Sequence, residues 1–350
     1  MVLAVAALLL SHPFLFAGAP GYVVGWGSNI GGEATGLPSP AYYSTGAVMV
    51  ATQLLDGVVA ISSGRGHSLA LRADVTVVGW GNNGRGEAGG FPTEHPYWTN
   101  GQVRIAGLAL SGIKAVSAGG SFSLAVRTNG TVIAWGEGLS ENYHAQQMIP
   151  PGLTNVTAVA AGWDYSMALT AEGTIVSWGS RMAPAGLSNV VAIAAGCERY
   201  APALALSRDG TVAKWTASGA LEPVPAEATN VMSIAAGEAH SLVLRRDGTV
   251  LGWGSNQFGE ATGIPTTTFP NSSSGLVAIS GQLLHSVVAI AAGNGYSLAL
   301  KTDGAIVAWG QFCNKQATVP AGLSNIVAVA AGENFCLAIT TNSAGWTVKK

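Results

Sequence analysis

The chain has 350 residues, 16 of them basic and 18 acidic, for a net charge of −2. A charged fraction of 10%, well under the roughly 25% of ordinary globular proteins, argues against disorder and against a highly soluble helical protein. Without a Lys/Arg cluster, the chain has no electrostatic grip for nucleic acid or anionic lipid.

Residues Met1 to Leu10 are wholly apolar, and Ala17-Gly18-Ala19 supplies the small-x-small pattern of a secretory signal cleaved after Ala19. The stretch departs from that pattern in having no Lys or Arg, the first basic residue being Arg65. The expectation is a signal over 1–19 and one domain over 20–350, secreted or at the cell surface. A cytoplasmic protein is the alternative if the start is no true signal. The ten-residue run is too short for a membrane span, and no insertion is expected once the signal is removed.

From Trp26 onward the sequence repeats. Trp-Gly closes a short apolar run at Trp26, Trp80, Trp135, Trp178, Trp253 and Trp309, while Trp215 is followed by Thr216. Upstream lies an Asx-Gly-like turn, best seen in Asp247-Gly248-Thr249, and before it a Ser-Leu-Ala-Leu run such as Ser241 to Leu244. Earlier still, a Val-x-Ala-Ile-Ala-Ala-Gly run ends at Gly64, Gly119, Gly162, Gly196, Gly237, Gly293 and Gly332. Apolar runs this short, broken by residues tolerant of positive φ, predict strands joined by tight hairpins. The segments containing Ile149-Pro150, Ala183-Pro184, Val224-Pro225, Ile264-Pro265 and Val319-Pro320 are assigned to an outermost edge strand, where proline is tolerated.

Four strands repeated seven times predict an all-β fold, a seven-bladed β-propeller with four-stranded blades. The Ala-Ala-Gly steps suit a crowded innermost strand, and each Trp suits the wider space between blades. Tyr22 to Gly27 supplies a third strand only, whereas Ile326 to Gly332 and Cys336 to Ile339 supply a first and a second. Pairing of the two ends is predicted to complete the seventh blade and close the ring.

The pattern Ala-Ala-Gly-x-x-His/Tyr/Phe-Ser-Leu-Ala-Leu-x-x-Asp-Gly-Thr-Val-x-x-Trp-Gly resembles the regulator of chromosome condensation repeat family over residues 22 to 340. Blade 4 departs from it: Cys197 to Pro202 adds three residues, and Thr216 replaces Gly. Near-consensus repeats of this kind look most like bacterial members, including a secreted β-lactamase-inhibitory propeller. The resemblance implies a binding scaffold.

Other motifs carry less. Gly79-Trp80-Gly81-Asn82-Asn83-Gly84 and the run beginning at Gly84 match G-x-G-x-x-G, but a Gly/Pro-rich loop follows where a dinucleotide site needs a helix. Gly66-His67-Ser68 imitates part of a nucleophile elbow, yet Ser68 is a repeat position. His67 and His240 occupy the slot filled elsewhere by Phe122, Tyr165, Tyr296 and Phe335, which points to rings wedged between blades. Asn129, Asn155 and Asn271 begin glycosylation sequons. Cys197, Cys313 and Cys336 form no metal or redox motif and allow at most one disulfide, leaving the pairing of Cys313 with Cys336 open. No catalytic, metal or cofactor residues are assigned, and no enzyme activity is expected.

The expected function is non-catalytic binding of a protein or extracellular polymer through loops on one face. The alternative is guanine-nucleotide exchange on a small GTPase, as in eukaryotic family members. The loops between first and second strands vary within a fixed scaffold, which makes them the candidate site. They place Arg65, Trp163, Asp164, Glu198, Arg199, Tyr200, Glu238, Asn294, Glu333 and Asn334 in one patch, with Trp163 and Tyr200 as anchors. Its carboxylates outnumber its cations, favouring a basic partner. The rival surface is the long insertions Ser28 to Gly57, Asn82 to Gly112 and Ser255 to Ser286.

Overall fold

Every repeat starts from a residue in the left-handed region. Gly57, Gly112, Asn155, Asn189, Asn230, Ser286 and Asn325 have φ between 52 and 68°, a conformation open to glycine and tolerated best by asparagine among the rest. The carbonyl of each accepts a backbone hydrogen bond from beyond the second strand, as in Ala73 N to Gly57 O at 2.8 Å and Ala171 N to Asn155 O at 2.9 Å. The computed structural model describes residues 20–51, 53–94, 97–137, 145–199, 201–311, 313 and 315–342; the signal assigned to 1–19 lies outside them.

The inner strands that follow are Val58–Ser63, Ile113–Ala118, Val156–Ala161, Val190–Ala195, Val231–Ala236, Val287–Ala292 and Ile326–Ala331, which define blades 1 to 7. Each has a register shift after its first residue, for example between Val58 and Ala60 and between Val287 and Ala289, and such bulges add to the strand twist. The second strands are His67–Arg72, Phe122–Arg127, Tyr165–Thr170, Ala203–Ser207, His240–Arg245, Tyr296–Lys301 and Phe335–Thr340. The third strands of blades 1 to 6 are Val77–Asn82, Val132–Gly136, Ile175–Gly179, Val212–Trp215, Val250–Ser255 and Ile306–Gly310. All pairings are antiparallel.

The second and third strands join through an Asx turn. Oδ1 of Asp209 and of Asp247 each accepts the backbone N–H of Thr211 or Thr249 at 3.0 Å, while Gly210 and Gly248 take φ of 88 and 79°. Blade 1 keeps the turn with Asp74 but puts Val75 at the glycine position, with φ of 60°. A β-branched residue is strained there, by roughly 1–2 kcal/mol, and Val75 is 40% exposed, so its side chain buries little. Val75→Gly is therefore expected to stabilise the chain by about 1 kcal/mol, read as a rise in thermal midpoint; no change, or a fall, would refute the assigned strain.

Ring closure is as predicted. Tyr22–Ser28 is the third strand of blade 7, pairing with Phe335–Thr340 so that Val24 faces Ala338 and Trp26 faces Cys336. Gly21 then exchanges backbone hydrogen bonds of 2.9 and 3.0 Å with Val58 of blade 1.

The four-stranded rule holds for blades 1, 4, 5 and 7, whereas blades 2, 3 and 6 have three strands among the described residues. The outer strands are Trp98–Gln102, Leu221–Glu222, Ser272–Leu276 and Tyr43–Ala47. None contains the prolines assigned to this role: Pro150, Pro184, Pro225, Pro265 and Pro320 all lie outside strands. Proline removes a ladder donor, and a short proline-bearing connection has no length left for a strand. The three long outer strands come instead from the long insertions, and each is followed by a two-stranded ribbon (Met49–Val50 with Gln53–Leu54, Arg104–Ile105 with Leu108–Ala109, Ala278–Ile279 with Gln282–Leu283).

The core is seven wedges between blades rather than one centre. Trp80 lies with Leu337 and Ile339 of blade 7, Trp135 with Leu69 and Leu71 of blade 1, and Trp26 with Leu298 and Leu300 of blade 6. Each Trp thus packs against the preceding blade, the position its bulk required. Among the described residues no helix is long and apolar enough to cross a membrane.

Candidate partner-binding face

The glycine ending each inner strand is fixed by its neighbour. A Cβ on Gly64 would stand 2.4 Å from Gly119 O, one on Gly119 2.6 Å from Gly162 O, and one on Gly196 2.3 Å from Gly237 O. No side chain fits such gaps. The residue after the glycine donates its N–H across the same boundary, Arg65 to Gly119 O at 3.1 Å and Gly120 to Gly162 O at 3.0 Å. The loops between first and second strands are drawn together at one mouth of an axial channel lined by Ser62, Ala118, Ala161, Ala195, Ala236 and Ala331.

At that mouth the candidate residues meet one another. Arg65 Nε lies 3.4 Å from Glu333 Oε2 and 3.8 Å from Glu198 Oε1, and its guanidinium sits 4.7 Å over the Trp163 ring. Residues of blades 1, 3, 4 and 7 thus converge across the axis. Burial, and after it the Glu333 charge, pushes the Glu198 carboxyl up to about 7, although Arg65 draws it back. Burial likewise raises Glu333 and Glu238. Arg65 closes an internal network whose remaining charge is acidic.

The other candidates are placed less centrally. Asp164 Oδ1 accepts a hydrogen bond from Ser180 Oγ, and Arg199 lines a lateral cleft beside blade 4. Asn294 N donates to Glu333 O at 3.2 Å, and Asn334 O accepts from Ser28 N at 2.8 Å. Tyr200, the second expected anchor, lies outside the described residues.

The third strand ends beside the first loop of its own blade: Asn82 N donates to Gly66 O at 2.8 Å and Ser255 N to Ala239 O at 2.9 Å. The long insertions therefore start on the same face as the first-to-second-strand loops.

Those insertions contain a motif that reading the repeat only as far as Trp-Gly passes over. Asn29, Asn83 and Asn256 each begin Asn-x-x-Gly-Glu-Ala. Asn256 Oδ1 accepts Ala261 N and Thr262 N at 2.9 and 3.0 Å, while its Nδ2 donates to Ile264 O at 2.7 Å. So folded, the loop presents the glutamate carbonyl to the next blade. Glu33 O accepts Trp80 Nε1 and Ser68 Oγ, both at 2.9 Å. Glu260 O accepts Trp309 Nε1 at 2.9 Å and Ser297 Oγ at 2.8 Å. Gln146 O does the same for Trp178 and Ser166, and Gln316 O for Trp26 and Cys336. These loops latch one blade to the next. Beyond each Asn-x-x-Gly-Glu-Ala stretch an apolar residue before proline is exposed: Leu37, Phe91 and Ile264, at 46, 51 and 58%.

The same latches explain the misleading motifs. Ser68 is a buried donor to a carbonyl, and the G-x-G-x-x-G stretch is a third strand running into a latch. His67 Nε2 lies 2.8 Å from Ser123 Oγ, and His240 Nε2 2.8 Å from Ser297 Oγ. Both serines already donate to Glu87 O and Glu260 O, so each imidazole carries its proton on Nε2 and leaves Nδ1 bare. Burial holds His67 at about 3 and His240 at about 4, well below the ordinary imidazole value. Cys313 is exposed and Cys336 buried, and neither is in a disulfide.

A closed ring of seven antiparallel sheets, pinched at a repeated glycine and wedged by a repeated tryptophan, defines a tandem-repeat β-propeller. The profile of the Regulator of chromosome condensation (RCC1) repeat matches residues 58–87, 113–144, 156–180, 231–260 and 287–316, so blades 1, 2, 3, 5 and 6 carry RCC1 repeats. No curated protein sequence matches this chain. Among solved structures it is similar to Prp20p from Saccharomyces cerevisiae, reported with its binding properties to Gsp1p and histones, at 20% identity and a TM-score of 0.70 over 95% of this chain and 94% of that one. Yeast RCC1 (Prp20) with Kap60 bound gives 19% identity and a TM-score of 0.68, covering 98% of this chain and 95% of that chain. Human WBSCR16 gives 18% and 0.67, over 92% and 99%. At such identities the likeness is one of fold.

Proposed function

We propose that this protein is a non-catalytic scaffold, secreted or displayed at the cell surface, that holds a protein partner on the face where the first loops and the latches converge. The observation that carries the reading is that convergence: a rigid ring with a glycine neck brings its most variable residues together in one patch. Trp163, stacked under Arg65 beside Glu198 and Glu333, has the aromatic and charged character of an interface anchor. The protein partners of Prp20p and of yeast RCC1 support a protein over a polymer as ligand. Secretion rests on Met1 to Leu10 and Ala17-Gly18-Ala19; mass spectrometry of the exported chain should find it starting at Pro20, and a product retaining Met1 would refute it.

The test of the face is capture of a partner from the source organism's secreted proteins, by full chain and Trp163→Ala side by side. Trp163→Ala is expected to weaken the captured complex by about 2 kcal/mol, roughly 30-fold. Unchanged affinity would move the site off the axial mouth, and recovery of a small GTPase would favour nucleotide exchange instead.

A further inference from the structure

One junction of the ring shows what another lacks. Between blades 7 and 1, the outer strand of blade 1 meets the latch carried by blade 7, and Asn100 Nδ2 donates to Gly36 O at 2.8 Å. In blades 7, 1 and 5 the third strand is also paired along its outer edge. Val48, Val103 and Val277 donate their N–H to the carbonyls of Val23, Val77 and Val250 at 2.8, 2.9 and 2.8 Å.

Blade 6 follows a blade with the same latch but has no fourth strand among the described residues. Gly263 stands seven residues after Asn256, as Gly36 stands seven after Asn29. Its carbonyl accepts no hydrogen bond among the described residues. Matching registers put Ile306, Ala308 and Gly310 in the places of Val250, Gly252 and Gly254. Their N–H and C=O groups therefore face outward, unpaired among the described residues. Edge strands are usually guarded by charge, proline or a bulge, and Ile306-Val307-Ala308-Trp309-Gly310 has none of these. The space beside the edge is open as well. Gly275 of the blade 5 outer strand pairs with Gly252, whose Cβ would stand 2.0 Å from Ala261 O of the latch. Directly paired residues point to one face of a sheet, so Gly275 looks toward blade 6. Nothing lies within 4 Å of a Cβ placed there, as nothing does at Gly46 beside the outer strand of blade 1. Blade 2 shares the latch and the edge, but residues 138–144 beyond its third strand lie outside the described residues. On blade 3 the connection turns back instead, Ala183 N donating to Ser177 Oγ at 2.6 Å.

We propose that the open edge of blade 6 takes an extended, uncharged segment of the protein partner as its fourth strand, antiparallel to Ile306–Gly310, with a side-chain donor on Gly263 O. Strand addition of this kind draws affinity from main-chain hydrogen bonds and selectivity from alternate side chains. The character of the occupant follows from the long outer strands Tyr43–Ala47, Trp98–Gln102 and Ser272–Leu276, none of which carries a charge. The surroundings match it. Residues 255–286 contain no Lys or Arg, and the Glu260 carboxylate already accepts Ser255 Oγ at 2.6 Å and Phe258 N at 2.8 Å. The Gly310 end of the edge joins the partner face, where Gln311 N donates to Gly295 O at 2.8 Å, and the inference rests on the reading of that face as protein-binding.

The test titrates the isotope-labelled full chain with the blocked peptide Tyr-Trp-Thr-Asn-Gly-Gln-Val, a copy of residues 97–103. The amide protons of Ala308 and Gly310 are expected to shift saturably and to exchange with solvent about tenfold more slowly, while those of Val307 and Trp309, which face the second strand, stay put. Sarcosine in place of the peptide's glycine removes a ladder donor, and leucine in place of its asparagine removes the donor to Gly263 O; each should bind about tenfold more weakly. Ala308→Pro, which deletes an outward N–H and spares the pairing with Tyr296–Lys301, should weaken the parent peptide by about the same factor. Near-UV circular dichroism checks that this variant is folded, and the sarcosine peptide decides the matter if it is not. Equal binding of the sarcosine peptide, unmoved amides at Ala308 and Gly310, or shifts confined to blade 1 would overturn the edge site. If the peptide fails while Trp163→Ala still weakens partner capture, the edge falls and the face stands. If the peptide binds and Ala308→Pro weakens capture while Trp163→Ala does not, the edge stands and the axial-mouth anchor falls.

Discussion

Removal of residues 20–28 is expected to cost about 8 kcal/mol, most of the stability of an ordinary domain. The strand loses Val23 and Val24, each fully buried, and Trp26, buried to 1%. Two buried valines contribute about 2 kcal/mol apiece, and a buried tryptophan about 4. The deletion also strands its neighbours. Tyr43–Ala47 loses its only sheet partner, and Phe335–Thr340 is left as an open edge. Trp26 Nε1 no longer reaches Gln316 O, now 2.9 Å away, which frees the latch between blades 6 and 7. The measurement is the near-UV melting curve beside that of Trp26→Ala, which should lose about 4 kcal/mol alone. A truncated chain melting within a few degrees of the full chain would refute closure by this strand.

Closure was legible because each unit carries its strands in a fixed order, so a lone third strand at one end and two strands at the other complete one set. The glycine neck was legible for a similar reason. Five copies of Ala-Ala-Gly, with Ser-Ser-Gly and Ser-Ala-Gly in the other two blades, leave little besides a crowded axis to explain them. What the repeat conceals is contact between blades. Arg65 meets Glu198 and Glu333 only because the ring brings distant loops to one mouth, so a patch whose carboxylates were read as facing a basic partner is partly neutralised within the chain. The outer strands were misjudged because proline marks where a strand is tolerated, not where one forms. The latches were within reach, since Asn29, Asn83 and Asn256 begin the same six-residue motif. Their role needed the neighbouring blade, where one carbonyl receives a tryptophan and a serine.

The two buried histidines are expected to make the protein acid-labile in a way two substitutions remove. Each imidazole is held far below the value of about 6.5 that it takes in the unfolded chain. Its stabilising contribution is thus complete above pH 6.5 and lost as pH falls toward about 4 for His240 and about 3 for His67. At pH 5 each contributes about 2 kcal/mol less than at pH 8, and the pair about 4. The axial carboxylates act oppositely: Glu198, raised to about 7, destabilises the fold at neutral pH and is relieved on acidification. Comparison with a variant is therefore needed to isolate the histidines. His67→Phe with His240→Phe is suitable because the ring already uses it. Phe122 fills this slot in blade 2, and Ser166 across the boundary needs only Gln146 O, at 2.6 Å. In the variant Ser123 and Ser297 still donate to Glu87 O and Glu260 O, so no polar group is orphaned. The expected result is a stability difference, double variant minus parent, that grows by about 4 kcal/mol from pH 8 to pH 5, read by urea denaturation at each pH. A difference independent of pH would mean that His67 and His240 are not buried as neutral imidazoles.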